Sequence, residues 1–199
     1  MTLDEYRTLF IAITMVSILI AASPTLGFVL TFPSGERFSE LWVLGPEHMA
    51  EDYPFNVKAN ETYKVFLGVG NHMGSSCYYG VYVKFRNQTE PLPNSTAGTP
   101  SSLPVLYEYR IFVKDGETWE TPLTFSFSNV SFVGNSSLVE TLTVNDVSFR
   151  VDKMASWNAN STGCYYQVFI ELWIYNVESN AFQYHNRAVW LWLNMTRNP

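Results

Sequence analysis

Charge is scarce in this 199-residue sequence: Asp, Glu, Lys and Arg make up 15% of it, against about a quarter of an average soluble chain. Twelve Lys and Arg against eighteen Asp and Glu give a net charge of -6. No basic block occurs, which excludes a nucleic-acid arm and leaves the charge to serve solubility. Cysteine is nearly absent. Cys77 and Cys164 cannot form a Cys-X-X-Cys redox pair or a zinc knuckle at that separation. Three histidines, His48, His72 and His185, show no ligand spacing. His48 beside Glu47, Glu51 and Asp52 is the one cluster that could hold a metal, and a solvated acidic turn is the simpler reading. His72 sits in a Gly-flanked turn, a structural position. No nucleophile elbow, phosphate loop or dinucleotide fingerprint occurs. These absences predict a non-catalytic protein without cofactor, metal or nucleic-acid partner.

What is plentiful is apolar and aromatic: 16% of the residues are Phe, Trp or Tyr, which excludes disorder. From Thr8 to Gly35 no residue is charged. Residues 9–32, at about 1.5 Å per residue, are long enough to cross about 30 Å of hydrocarbon. The expectation is a short cytoplasmic segment (1–8), a transmembrane or assembly helix (9–32) and an extracytoplasmic domain (33–199). A cleaved signal peptide ending near Ala22 is the rival. Three features oppose it: Asp4 and Glu5 stand beside the single Arg7, Pro24 follows Ser23, and apolar character resumes at Leu26. Pro24 and Gly27 predict a kink or an early helix end near Ser23.

Seven N-glycosylation sequons, at Asn60, Asn87, Asn94, Asn129, Asn135, Asn160 and Asn194, all follow the apolar stretch. Their number predicts N-linked glycans on a domain outside the cytoplasm. Two cysteines in an oxidising compartment predict one disulfide, Cys77–Cys164, closing a long loop worth roughly 4–5 kcal/mol in the chain-entropy model.

Beyond Pro33 the apolar pattern alternates, and no segment keeps a 3.6-residue repeat over ten positions, so the domain is expected to be all-β. Tyr63 to Val69 and Tyr79 to Phe85 flank the turn Gly70-Asn71-His72-Met73-Gly74. The Pro/Ser/Thr-rich stretch 87–104 reads as a long exposed loop, followed by a strand over 106–114. Further strands are expected at 122–128, 138–144, 147–151, 164–175 and 182–193. Eight or so strands at this spacing suggest an immunoglobulin-like β-sandwich. Strand parity turns Cys77 and Cys164 toward the core, so they can meet only if their strands start at one end of the domain. Parity also places Phe169, Trp173, Tyr175, Trp190 and Trp192 on the outer face of the last hairpin. That aromatic patch needs a cover: a loop of the same chain, a neighbouring subunit, lipid headgroups or a glycan.

At Gly35 to Pro46 (GERFSELWVLGP) and on through Ala50-Glu51-Asp52-Tyr53-Pro54, at Leu67 to His72 (LGVGNH), and at Trp190 to Asn194 (WLWLN), the sequence resembles the archaeal membrane proteins of the uncharacterised DUF1616 family. The resemblance covers nearly all of residues 35–194. It implies membrane helices paired with an extracytoplasmic β-domain and an archaeal source, and it implies no chemistry. The expected function is that of a membrane-anchored cell-surface glycoprotein, non-catalytic, in contact with lipid and with copies of itself or other surface proteins. The alternatives are a pilus-like filament subunit with the hydrophobic helix in the filament core, and an accessory subunit of a larger membrane complex.

Overall fold

The computed structural model describes residues 6–7, 9–18, 36–157 and 163–197. The chain forms two compact units, Met1–Arg37 and Phe38–Pro199. In the first, residues 6–7 and 9–18 are helical. The hydroxyls of Thr14 and Ser17 donate to the carbonyls of Phe10 (2.7 Å) and Ile13 (2.8 Å) four residues back, which satisfies polar groups on an otherwise apolar helix. Among the described residues no helix is long and apolar enough to cross a membrane. Residues 19–32 of the expected span lie outside the described residues.

The second unit is built of strands β1 (Phe38–Leu44), β2 (Asn56–Val57), β3 (Thr62–His72), β4 (Cys77–Asn87), β5 (Tyr107–Val113), β6 (Thr118–Val133), β7 (Ser136–Val144), β8 (Val147–Ser156), β9 (Tyr165–Asn176) and β10 (Ala181–Met195). They form two five-stranded sheets, β1-β3-β6-β7-β8 and β2-β10-β9-β4-β5. All pairings are antiparallel except β2 with β10. The expected strands are all present, several of them longer than their apolar cores. Alternation sends Val65, Leu67 and Val69 of β3 and Leu123, Phe125 and Phe127 of β6 inward. They meet Tyr79 to Phe85 of β4 and Tyr166 to Leu172 of β9 in one buried cluster.

β1 and β2 are additions to the expected set. In β1, Ser39, Leu41 and Val43 turn toward the core, while Phe38, Glu40 and Trp42 face outward. The Trp42 indole lies flat over Gly68, its partner across β1 and β3. A Cβ at Gly68 would sit 2.1 Å from the ring, which explains a glycine inside an apolar strand.

The expected disulfide is absent. Both cysteines are free and buried. Their strands are neighbours but antiparallel, with Tyr79 opposite Ile174 and Asn87 opposite Tyr166. Cys77 opens β4 at one end of this ladder and Cys164 precedes β9 at the other; the register sets Cys77 level with Asn176, so the two lie about 40 Å apart at about 3.3 Å per residue. Core-facing parity was met; a common end was not.

The end of the unit where the chain enters at Phe38 is closed by a polar network. Ser39 Oγ lies 2.7 Å from Tyr79 OH and 2.9 Å from His185 Nε2. Tyr79 OH donates to Asn71 Oδ1 (3.1 Å), and Asn71 Nδ2 donates to the carbonyls of Ser75 and Val113 (both 2.8 Å). Ser39 and Asn71 come from the first sheet; Tyr79, Val113 and His185 come from the second. Burial, then the neighbouring Arg187 charge, hold His185 below the ordinary imidazole range.

Two predictions follow from these groups. Native and denatured mass spectrometry after alkylation should find no Cys77–Cys164 link and two thiols that react only on unfolding; a species two mass units lighter, protected from alkylation after unfolding, would contradict the structure. Because the folded state resists protonating His185, the unfolded chain binds the proton first as pH falls below about 6.5. Stability should therefore fall over that window, and the wild-type-minus-His185→Gln difference in urea midpoints should decrease as pH is lowered from 7 to about 5.5, the variant's own profile being flatter; a difference that stays constant would contradict the linkage.

Candidate functional site

The outer face of the second sheet carries side chains that alternate with the core set, and the register aligns them into rows across β5, β4, β9 and β10. At the entry end Phe112 pairs with Tyr78 and Tyr175 with Phe182. Their rings form a continuous series: Phe112 stacks on Tyr78 at 4.3 Å, and Tyr78 meets Tyr175 at 5.9 Å and Phe182 at 5.2 Å. In the next row Gly80 leaves a gap that ring edges of Tyr82 and Phe182 approach. The Arg110 guanidinium lies over Phe182 at 3.8 Å, a cation–π contact. Trp173 packs on Tyr82 (5.2 Å) and Tyr184 (6.0 Å).

The middle of this face is charged, buried and roofed. Lys84 and Glu171, 3% and 0% exposed, form an ion pair at 3.0 Å. Segment 88–106, between β4 and β5, crosses above them. Lys84 Nζ donates to the Ser101 carbonyl (2.7 Å), and the Ser101 amide donates to Glu171 Oε1 (2.7 Å). Trp173 Nε1 donates to Glu171 Oε2 (3.1 Å). Ser95 Oγ lies 3.2 Å from Tyr184 OH, and burial raises that phenol above its ordinary range, keeping it neutral. The segment is the long, largely exposed loop expected from its composition, and its buried attachment at Ser101 makes it a strap across this face. Phe169, beside Lys84 in the register, is fully buried, and Trp173 and Tyr175 are half-buried.

Trp190 and Trp192 escape the strap and are each 45% exposed. They border a groove of about 500 Å³ between β10 and β1, lined by Leu41, Val43, Tyr53, Phe55 and these two tryptophans, all uncharged. β2 pairs with β10 only at Asn194 and Met195. Among the described residues, therefore, the β10 edge from Ala188 to Trp192 has no strand beside it. The five residues expected to form one patch do share a face, but the strap divides them into a covered group and an open one.

Sequence reasoning missed Tyr78, Phe112 and Phe182, although each has the same parity as its aromatic neighbours. It also missed the Lys84–Glu171 pair, whose signal was one opposite charge in each of two long apolar strands. His48 Nδ1 lies 2.7 Å from Glu120 Oε1, which accepts, and the ring stacks on Phe66; His72 lies 3.5 Å from Glu40 Oε2 and stacks on Phe38. Among the described residues no group of three or more His, Cys, Asp or Glu could hold a metal.

The sequons differ in environment. Asn60, Asn94, Asn129 and Asn135 are exposed. Asn87 and Asn194 are half-buried with their amides engaged, Asn87 Nδ2 to the Met154 carbonyl (2.9 Å) and Asn194 Nδ2 to Asn56 Oδ1 (3.0 Å). Asn160 lies outside the described residues. Asn87, Asn135 and Asn194 stand at the end opposite Phe38, where Asn87 pairs with Tyr166 and Asn194 with Tyr165 and Ser137 bonds Tyr166 OH. Asn60 is bonded through its amide to Phe127 and Asn129 follows two residues later; Asn94 is on the strap.

Removing one member of the buried ion pair should be costly. Lys84→Met strands the Glu171 carboxylate and should lower unfolding free energy by about 3–5 kcal/mol, measured by urea denaturation. The double variant Lys84→Met/Glu171→Leu should recover most of that loss, while limited proteolysis within 88–106 quickens in both because the strap has lost its pin.

Comparison with known proteins adds a family and no activity. The model of a domain of unknown function, DUF1616, matches residues 33–133. No curated protein matches the chain in sequence. Among solved structures, a β-glucosidase from Listeria innocua in complex with glucose is 10% identical, covering 80% of this chain and 16% of its own, with a TM-score of 0.41. A Bacteroides uniformis β-glucuronidase is 11% identical over 77% of this chain and 13% of its own, at 0.36. The human seminal plasma complex of zinc 2-glycoprotein and prolactin inducible protein is 9% identical over 81% and 98%, at 0.39. The chain spans about a sixth of the length of the glucosidase, and likenesses this distant support no catalytic function.

Proposed function

The chain belongs to the DUF1616 family, and on that premise we propose that it is a membrane-anchored cell-surface glycoprotein whose second unit has a structural or subunit-contact role. The observation that carries this reading is an asymmetry. Among the described residues no sequon stands in the turns at the end where the chain enters the β-unit, whereas exposed sequons occupy the opposite half and the strap. A uniformly solvated domain has no reason for a bare end; one tethered there by the uncharged stretch 9–32 has a reason, since bulky glycans are kept to the solvent side.

We read the β-unit as an immunoglobulin-like sandwich. The orders β1-β3-β6 and β10-β9-β4 correspond to A-B-E and G-F-C of that fold. One departure stands out. The strand flanking E in an immunoglobulin domain precedes E in the chain, whereas here β7 and β8 follow β6. Subunit contact is assigned to the groove beside β10. Its open backbone edge offers donors and acceptors for an added strand, and Trp190 and Trp192 offer apolar area at low entropic cost. The same edge serves an anchored oligomer or a filament.

The full chain, expressed in its membrane, should stay in the pellet through alkaline carbonate extraction, and recovery in sheared surface fibres would favour the filament. Intact-mass spectrometry should find glycan lost on Asn→Gln at 60, 94, 129 and 135 and unchanged by the same replacement at 87 and 194. Trp190→Ala/Trp192→Ala should reduce cross-linking between copies while leaving extraction behaviour unaltered; undiminished cross-linking would remove the groove from the contact.

A further inference from the structure

At the entry end apolar surface stays in solvent. Phe112 of the aromatic row is 77% exposed, its partners Tyr78, Tyr175 and Phe182 are half-buried, and Val177, in the adjoining β9–β10 turn, is 82% exposed. The row draws one ring from each of four neighbouring strands, Phe112, Tyr78, Tyr175 and Phe182, so it runs across the strand direction at one level of the sheet. The turns beside it carry Lys114, Asp115, Glu117 and Glu178, mixed in sign and acidic in sum. The strap covers the rows above and does not extend over this one.

We propose that this row is an interfacial girdle that docks on the headgroup layer of a lipid bilayer. The inference rests on the anchored reading above. With residues 9–32 in lipid, the chain from Phe32 to Phe38 reaches at most about 20 Å when fully extended, so the entry end stands at the bilayer surface. Rings that combine an apolar body with a polar tip gather at that depth, as tyrosine and tryptophan do in aromatic belts. Tyr78 and Tyr175 are such rings, and Phe112 and Val177 supply purely apolar area beside them. The acidic sum of the adjoining turns gives anionic lipid no attraction, so binding runs through the rings and is insensitive to salt. A glycan here would lie between protein and lipid, in keeping with the lack of any sequon in the adjoining turns 73–76, 114–117 and 177–180.

The test uses the full chain reconstituted into phosphatidylcholine vesicles. An environment-sensitive fluorophore is attached to Val177→Cys or, as the distal control, Asn135→Cys; native Cys77 and Cys164 are buried, and an unlabelled-site control reports their background. Flotation establishes association, and a lipid spin-labelled at the headgroup serves as quencher. The expected result is loss of most emission at 177, little at 135, and no change in about 0.5–1 M salt, where the Debye length shrinks to about 3–4 Å. Phe112→Asp, on an exposed edge position, should return emission at 177 toward the distal level while flotation persists. Flotation with equal emission at both sites overturns the girdle and leaves the anchor standing. Failure to float overturns the anchor and the girdle with it.

Discussion

The Asn71 side chain is the constraint on which the arrangement of the two sheets depends. It is fully buried, and all its hydrogen-bonding capacity is used: Nδ2 donates to the Ser75 and Val113 carbonyls, and Oδ1 accepts from the Met73 amide and the Tyr79 hydroxyl. Its backbone is engaged as well, with the Glu117 carbonyl and the Gly116 amide. One residue therefore binds the β3–β4 turn, the β5–β6 turn and a core tyrosine. A buried amide left unpaired costs about 1–3 kcal/mol per group, so these pieces can shift only together. Holding Tyr79 and Val113 inward obliges their neighbours Tyr78 and Phe112 to point outward at a common level. The aromatic row is thus a by-product of how the core is fastened.

A second fastening governs the remainder of the same face. Burying Lys84 and Glu171 has a desolvation cost that their attraction barely offsets. The pair nevertheless determines which loop conformation fits, because the Ser101 amide and carbonyl match the two charges in one orientation. An apolar replacement could cover the sheet equally well without selecting the path of the strap. The path matters, since it hides Phe169 and leaves Trp190, Trp192 and the entry row uncovered.

Much of the β-unit was legible in the sequence. Alternation is a strong signal where one face is buried, and Tyr63 to Val69, Tyr79 to Phe85 and Cys164 to Tyr175 kept it without interruption. The outward orientation of Phe169, Trp173, Tyr175, Trp190 and Trp192 followed from the same parity. β1 was harder to see because Trp42 and Phe38 place apolar rings on its outer side and blur the alternation. β2 is two residues long and has no pattern to read. The disulfide failed because parity reports facing and not height along a strand. Cys77 and Cys164 both face inward, yet strand direction, which only the topology reveals, puts them at opposite ends. The strap was invisible for a related reason: its Pro/Ser/Thr composition describes local backbone preference, while its course is dictated by two charges distant in sequence.

The order of strands also bears on what the matched family segment can be as a physical object. Residues 33–133 end where β6 ends, and this portion contains β1 to β6, with β2 cut off from its partner β10, but neither β9 nor β10. In the second sheet β9 separates β4 from β10. A chain cut after Val133 would retain β4 and β5 as a two-stranded ribbon facing a first sheet of three strands. Tyr79, Val81, Val83 and Phe85 would be left without Val168, Ile170 and Leu172 beside them. A two-stranded ribbon is marginal in water, so the matched portion is a half-shell and the remaining third of the chain is its lid. Synthesis from the N-terminus would leave that half-shell open until β9, the strand that must insert between β4 and the still later β10, has emerged.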